Sequence, residues 1–387
     1  MTEHHTTVVV LGGGYAGVMT ANRLAPHASV TLVNPRPAFV ERIRLHQLVA
    51  GNDDAVADYA TVLADTVRLV VDGAERIDTS NRTVALASGG SLTYDYLVYA
   101  VGSTGTVPAA VPGAAEFSYP IGELEQAQRL AARLADVPVP APLVVVGGGL
   151  TGIEAATEFA EAGRPVTLVT DVLGPSLADS GRRSIAKRLA KLGVAVVEGS
   201  AVAEVRADRV VLASGREVPS AVTVWTAGFG VPGLAAASGL PTDGLGRLLT
   251  DETLTSLADP RVIGAGDAVS PSNAPWRMSC QAALPLGAQA ANTVLARMGG
   301  ADPAAVNHAM AGQCISLGRA AGIFQFADVD DTPRRWYVGG RAGALIKEQV
   351  CRYTLKWMRG EADKPGSYSW KTNPHRAQVA AQAVPAR

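Results

Sequence analysis

Cysteine is scarce in this chain. Its three thiols, Cys280, Cys314 and Cys351, are far apart in sequence and form no CxxC or CxxxxC pair, which argues against a metal knuckle and a dithiol redox centre. No metal site is expected. Charge is sparse as well: only 18% of residues are charged, and 34 Lys plus Arg balance 35 Asp plus Glu, so there is no global basic field to hold nucleic acid or acidic lipid. The uncharged stretch from Val218 to Pro241 is long enough to span a bilayer. Pro219, Pro232 and several glycines and threonines break it, so it reads as a buried strand plus loop. The opening MTEHHTTVVV has no arginine-led region and runs straight into a strand, so no secretory signal is expected and the cytoplasm is the default location.

Apolar material, by contrast, is plentiful. At 387 residues and 48% hydrophobic, the chain can fill two or three packed cores and reads as globular and multi-domain. Two stretches align almost glycine for glycine: VVVLGGGYAGVMTANRLA from Val8 and LVVVGGGLTGIEAATEFA from Leu143. In the first, Val8 to Leu11 is the apolar, mostly β-branched run of a central parallel strand. Gly12, Gly14 and Gly17 give the GxGxxG spacing, Val18 to Leu24 reads as a helix, and Val30 to Asn34 as a second strand. The second copy has strand Leu143 to Val146, glycines Gly147, Gly149 and Gly152, helix Ile153 to Glu161 and strand Val166 to Thr170. In such a turn small residues let a pyrophosphate approach the backbone, and the helix N-terminus offers free N–H groups and a positive dipole. One glycine turn is a weak signal. Two in the same context point to two dinucleotides, most simply FAD and NAD(P)H with a hydride passing between them.

Each copy lacks the acidic residue that usually holds the adenosine ribose; Asn34 and Thr170 stand there instead. An asparagine amide can hydrogen-bond a diol, so FAD binding is not threatened. In the second copy Asp171, one residue late, repels a 2′-phosphate, while Arg164, Arg182 and Arg183 attract one. NADH is mildly favoured and NADPH is not excluded.

Further signals follow in order: YDYLVYAVGS (Tyr94 to Ser103), TVWTAGFG (Thr223 to Gly230), and RVIGAGDAV (Arg261 to Val269), an apolar strand ending on Asp267 before a helix. With these the chain resembles the two-dinucleotide-binding flavoproteins: pyridine-nucleotide disulfide reductases, ferredoxin reductases and type II NADH dehydrogenases. The resemblance implies an α/β fold with two Rossmann-like domains. The FAD domain is discontinuous (1–110 and 246–300), and the NAD(P)H domain (111–245) is inserted. A smaller C-terminal α+β acceptor or interface region (301–359) and a tail (360–387) follow. The cofactor-binding candidates it implies are Gly12, Gly14, Tyr15, Ala16, Gly17, Asn34, Arg42, Ala74, Gly102, Asp267, Gln281 and Ala282 for FAD. For the nicotinamide nucleotide they are Gly147, Gly149, Leu150, Thr151, Gly152, Thr170, Asp171 and Gly228.

Disulfide reductases carry a cysteine pair just after the first nucleotide unit, where AFVERIRLHQLVAG has none. Instead ERIRLHQ, RMSCQAALPLG and CISLGRAAGIFQF…GGRAGALIKEQVCR resemble type II NADH:quinone oxidoreductases and apoptosis-inducing-factor-like quinone reductases. Gln281 matches the first of two glutamines that often flank the quinone in that group, while Pro285 occupies the second position. The resemblance therefore implies reduction of a quinone or another small acceptor. A ferredoxin-like protein, a small biosynthetic substrate, or a slow redox-sensing role are the alternatives.

Four residues are catalytic candidates. Glu154 falls in the first turn of the second cradle helix, either stabilising the dipole or, as the resemblance implies, positioning NADH or relaying a proton. Gln281 follows the GD segment on a helix expected to point at the flavin. His46 is either a structural histidine or a titrating one. Arg42 or Arg44 neutralises pyrophosphate or solvates a helix, and Cys280 reads as a small core residue. On a helix from about Ala342 to Arg359, Ile346, Val350, Tyr353 and Trp357 form an apolar stripe, extended by Leu355, Cys351 and Met358. Lys347 falls inside that arc and needs a partner, the flavin edge or a carboxylate, unless it snorkels. The helix has three open roles: core packing, a homodimer contact, or peripheral contact with the cytoplasmic face of a membrane. The residues after Gly360 show no apolar period and read as a flexible tail.

Overall fold

The computed structural model describes residues 5–382. Its first sheet has five parallel strands in the order Val262–Gly264, Tyr96–Tyr99, Thr7–Leu11, Ser29–Asn34, Arg68–Val71. A second has the order Ser118–Pro120, Val222–Trp225, Leu143–Val146, Val166–Val169, Ala195–Val197, again all parallel. Both are strands of an α/β fold with the aligned glycine motif on the central strand. That strand is valine-rich because helices and neighbouring strands exclude water from both its faces; Val8, Val10, Leu143, Val144 and Val145 are fully enclosed. Strand Val262–Gly264 reaches the first sheet after the chain has completed the second.

Each central strand hands over to a helix, Tyr15–Leu24 and Leu150–Glu161, through a turn that only glycine tolerates. Gly12 and Gly147 sit at φ +98° and +116°, and a Cβ on Gly17 or Gly152 would come within 1.8 or 1.9 Å of the carbonyl of Gly12 or Gly147. Both helices begin earlier than the apolar period suggested. Glu154 is consequently in the second turn rather than the first, and the dipole is not what holds it. Asp267 also differs from expectation. It lies in a 3₁₀ turn, Gly266–Ala268, followed by a short strand, Val269–Pro271, and only then by the helix Cys280–Met298.

The C-terminal region is an antiparallel sheet, Gly312–Ser316, Gly322–Ala327 and Pro333–Gly339, carrying a long helix, Gly340–Asp363. Gly343 lets that helix close on the sheet, since a Cβ there would meet the Gly322 carbonyl at 2.3 Å. The buried seam is Gly343, Lys347, Cys351, Thr354, Met358 and Glu361. The stripe expected from hydrophobicity lies beside it, with Tyr353 and Trp357 41% and 42% exposed. Polar seam residues account for the difference, because their partners come from elsewhere in the chain: Lys347 from Glu154, and Glu361 from Arg23.

The expected flexible tail is ordered up to Gln382. Tyr368 and Trp370 pack on the first core, Thr372 bridges to His308, and a helix, Arg376–Gln382, follows. Arg376 is buried. It donates to both carboxylate oxygens of Glu252 (2.8 and 2.9 Å) and to the Ala274 carbonyl, and it lies 3.8 Å over the Trp276 ring. These anchors are irregularly spaced, so periodicity had no signal to give. Residues 383–387 of that tail lie outside the described residues.

Glu361 joins helix to tail. Its carboxylate accepts from Arg23 Nε (2.6 Å) and from the N–H groups of Gly366 and Tyr368, fully enclosed. Replacing it by Ala strands the buried Arg23 guanidinium and should cost about 3–5 kcal/mol. Urea unfolding checks this, with Glu361→Gln recovering part of the loss; a change below about 1 kcal/mol would contradict the role.

Candidate functional site

The first glycine turn opens into a cleft lined by Gly12, Gly14, Tyr15, Ala16, Asn34, Arg42, Ala74, Gly102 and Asp267. Gly14 has nothing within 4 Å of where a Cβ would stand, so the start of the helix faces open space, as a phosphate cradle requires. Gly17 is the packing glycine. The expected use of Asn34 is altered, however. Its Oδ1 accepts from Gly13 N (3.0 Å) and its Nδ2 donates to the Arg36 carbonyl (2.8 Å), so the amide is committed to knitting the loop.

Arg42 spans the cleft, donating to Ser103 Oγ (2.8 Å) and to the Gly122 carbonyl (2.9 Å). Ser103 in turn donates to Asp267 Oδ2 at 2.7 Å, and Ser279 N donates to Oδ1 at 3.2 Å. Burial raises the Asp267 pKa in spite of Ser103 and Arg42. Sequence reading missed the roof. Glu123 and Leu124, from the other nucleotide unit, line the cleft, and Arg36 holds Glu123 at 2.9 Å and Glu125 at 2.6 Å. These acidic residues look like ordinary surface charges in sequence. Ala283, not Ala282, lines the cleft. Gln281 is not among the lining residues; with its amide oriented so that both groups are satisfied, it accepts from Ala311 N and donates to the Gly312 carbonyl, each at 2.9 Å.

The second turn repeats this geometry. Gly149 faces open space where Leu150 and Thr151 begin the helix. Thr170 Oγ accepts from Gly148 N (3.0 Å) and donates to the Val172 carbonyl (2.9 Å), as Asn34 does in the first cradle. Asp171 is exposed, and Gly228 takes φ +94° in a loop whose residues Phe229 and Gly230 pair with Gly105 and Thr104 of the first unit.

Beyond the second cradle helix three catalytic candidates meet. Glu154 Oε1 lies 3.0 Å from Lys347 Nζ and accepts from Ser316 N at 2.9 Å, while His46 Nδ1 is 3.6 Å from Glu154 Oε2. All three side chains are buried. Burial would raise the Glu154 carboxyl, but Lys347 and the Ser316 N–H outweigh it and hold its pKa below the usual value. Burial would lower Lys347, but the Glu154 charge wins and raises it, so Lys347 stays an ammonium. Burial dominates at His46 and depresses it to about 4, which leaves it neutral near pH 7. Its Nε2 has no hydrogen-bond partner and lies 4.0 Å from Glu158, which is ion-paired to the partly exposed Arg319. Arg44 pairs with Glu348 (3.1 Å), Glu41 and Asp53, and is thus structural.

Cys351 lies one helical turn after Lys347, and the Lys347 charge acts on Cys280 and Cys314 as well. Burial pushes the Cys280 thiol up to about 12 and Cys351 to about 11, so they are neutral lining groups rather than nucleophiles. Among the described residues no cluster of His, Cys, Asp and Glu suits a metal ion. No described helix is long and apolar enough to cross a membrane.

Residues 6–287 match the model of the pyridine nucleotide-disulphide oxidoreductase family. An NADH dehydrogenase-like protein of Mycobacterium tuberculosis is 30% identical over 329 residues, 75% of this chain and 80% of the relative. Among solved structures, the sulfide:quinone oxidoreductase of Aquifex aeolicus superposes with a TM-score of 0.77 at 22% identity, covering 93% of each chain. NDH2 of Plasmodium falciparum in complex with NADH also has a TM-score of 0.77, at 14% identity over 94% of this chain and 99% of that one.

The buried cluster sets a pH dependence. His46 is depressed when folded, so its neutral form contributes stability that is complete above about pH 6.5 and lost as pH falls toward about 4. Glu154, held below its usual value, adds a loss in the same direction through the carboxylate range. Melting temperature should fall between about pH 6.5 and 4, and His46→Asn should flatten the upper part of that slope. An identical slope in the variant would exclude His46.

Proposed function

This chain belongs to the pyridine nucleotide-disulphide oxidoreductase family, and from that premise we propose that it oxidises NADH and passes two electrons to a quinone. The family uses FAD with NADH, and the two open glycine cradles have the form these dinucleotides need. When bound, FAD supplies the two-electron chemistry. The residues of the chain bind, orient, shield and manage protons.

The observation that carries this reading is the buried Glu154–Lys347 pair at 3.0 Å, an ammonium and a carboxylate enclosed beyond the nicotinamide cradle. An ammonium in a low-dielectric site is a strong hydrogen-bond donor to an acceptor oxygen that gains charge on reduction. Glu154 keeps it protonated. Glu158, His46 and Glu154 line the space between the exposed Arg319 and Lys347 and keep that side of the ammonium polar.

The surroundings of Lys347 suit an apolar, oxygen-bearing acceptor. Cys314 faces the same side of its sheet as Phe324, whose ring meets that of the half-exposed Phe326 at 5.0 Å, giving an apolar path from the surface. Trp336 and Leu345, 62% and 65% exposed, with Arg335 over the Trp336 ring, are large apolar and basic groups on the outside of the C-terminal region that suit contact with a lipid surface that holds quinone. The first cradle is roofed by Arg36 and Arg42, as suits a resident cofactor, while the second has an exposed rim, as suits one that exchanges.

Steady-state NADH oxidation with a panel of quinones, ferricyanide and oxygen tests the acceptor: a quinone should be preferred, and oxygen turnover matching the best quinone would refute it. Lys347→Met should lower kcat/KM for quinone by about 10²–10³-fold while NADH affinity changes little. Equal quinone turnover in the variant would remove Lys347 from the site.

A further inference from the structure

We propose that choice between NADH and NADPH is made by long-range charge at the rim of the second cradle, from Asp171 and Glu198, with no side chain capturing the ribose 2′-hydroxyl. The inference rests on the reading of that cradle as the nicotinamide nucleotide site. A carboxylate at the end of the second strand selects the unphosphorylated nucleotide in two ways: it binds the diol through short charge-assisted hydrogen bonds, and it repels a 2′-phosphate. Thr170 occupies that position here and does neither. Its single proton goes to the Val172 carbonyl and it accepts from Gly148 N. A Cβ on Gly148 would meet Thr170 Oγ at 2.4 Å, so the hydroxyl lies against the glycine loop rather than over the open cradle.

The charges that remain are set back on the same loop. Asp171 follows Thr170 directly and is exposed; its carbonyl accepts from Gly199 N at 2.9 Å, which ties it to the turn after strand Ala195–Val197. That turn carries Glu198, also exposed, whose Oε1 accepts from Leu173 N at 2.8 Å. Two carboxylates thus border the loop. The cations counted as attractors are mostly engaged. Arg164 donates to the Val137 and Leu134 carbonyls at 3.2 and 2.6 Å, and Arg182, whose stem packs against Gly174, is ion-paired to Asp179. Arg183 is exposed on the same helix and opposes the two carboxylates at longer range.

Exposed charges acting through water are weak and screened within about 8–10 Å at ordinary ionic strength, whereas a buried or bidentate hydrogen bond is not. Discrimination of this kind is therefore small and salt-dependent. At about 20 mM salt NADH should be favoured roughly five- to tenfold, falling to about twofold or less by about 0.5 M.

The experiment measures dissociation constants for NAD⁺ and NADP⁺ by calorimetry on the flavin-loaded protein across that salt range, with kcat/KM for NADH and NADPH alongside. The ratio should fall with salt, and Asp171→Asn and Glu198→Gln should each raise NADPH affinity about two- to threefold, with the double variant bringing the ratio near one. A preference above about 100-fold that salt does not change would overturn the proposal, as would variants that leave the ratio unmoved. Failure of both nucleotides to bind would instead refute the nucleotide-site reading itself, and the proposal with it.

Discussion

An ammonium and a carboxylate shut away from water can stay ionised only by holding each other. Lys347 and Glu154 do this across 3.0 Å, and three parts of the chain must be in place for it: the second cradle helix, the C-terminal helix, and the strand whose Ser316 N–H completes the carboxylate's shell. A buried pair of this kind contributes little net stability, since desolvation offsets its attraction, but losing either partner leaves an uncompensated charge. It therefore fixes geometry more than it adds stability. The same logic recurs at Arg23 with Glu361 and at Arg376 with Glu252, both of which bind the last segments of the chain to the first core.

The duplicated cradle repeats one backbone solution. In both copies a neutral side chain, Asn34 or Thr170, bonds back to the glycine loop and to a carbonyl just beyond its own strand. What differs is the cover. Arg36 and Arg42 draw Gly122, Glu123 and Glu125 across the first cradle, whereas exposed carboxylates border the second.

The cradles were legible because their constraint is local: a β-branched strand, glycines where a Cβ would strike a carbonyl, and a helix directly after. The buried face of the C-terminal helix was not. A helical wheel puts Lys347 inside the apolar arc without naming its partner, and Glu361 lies past the periodic stretch; only partners some 200 and 340 positions away define the seam, hence the expected apolar stripe lies beside it. The packing of Gln281 against the Ala311–Gly312 backbone is equally invisible in sequence, because nothing local announces those partners. Ordering of residues 364–382 escaped notice because its anchors are aromatic and cationic singletons without period.

All of this depends on two cradles whose occupants exchange electrons inside one chain. Anaerobic titration of the flavin-loaded protein with NADH measures that directly. The oxidised-flavin absorption should bleach completely at one NADH per FAD and return on addition of a quinone. A yellow protein that binds NADH and does not bleach would contradict it.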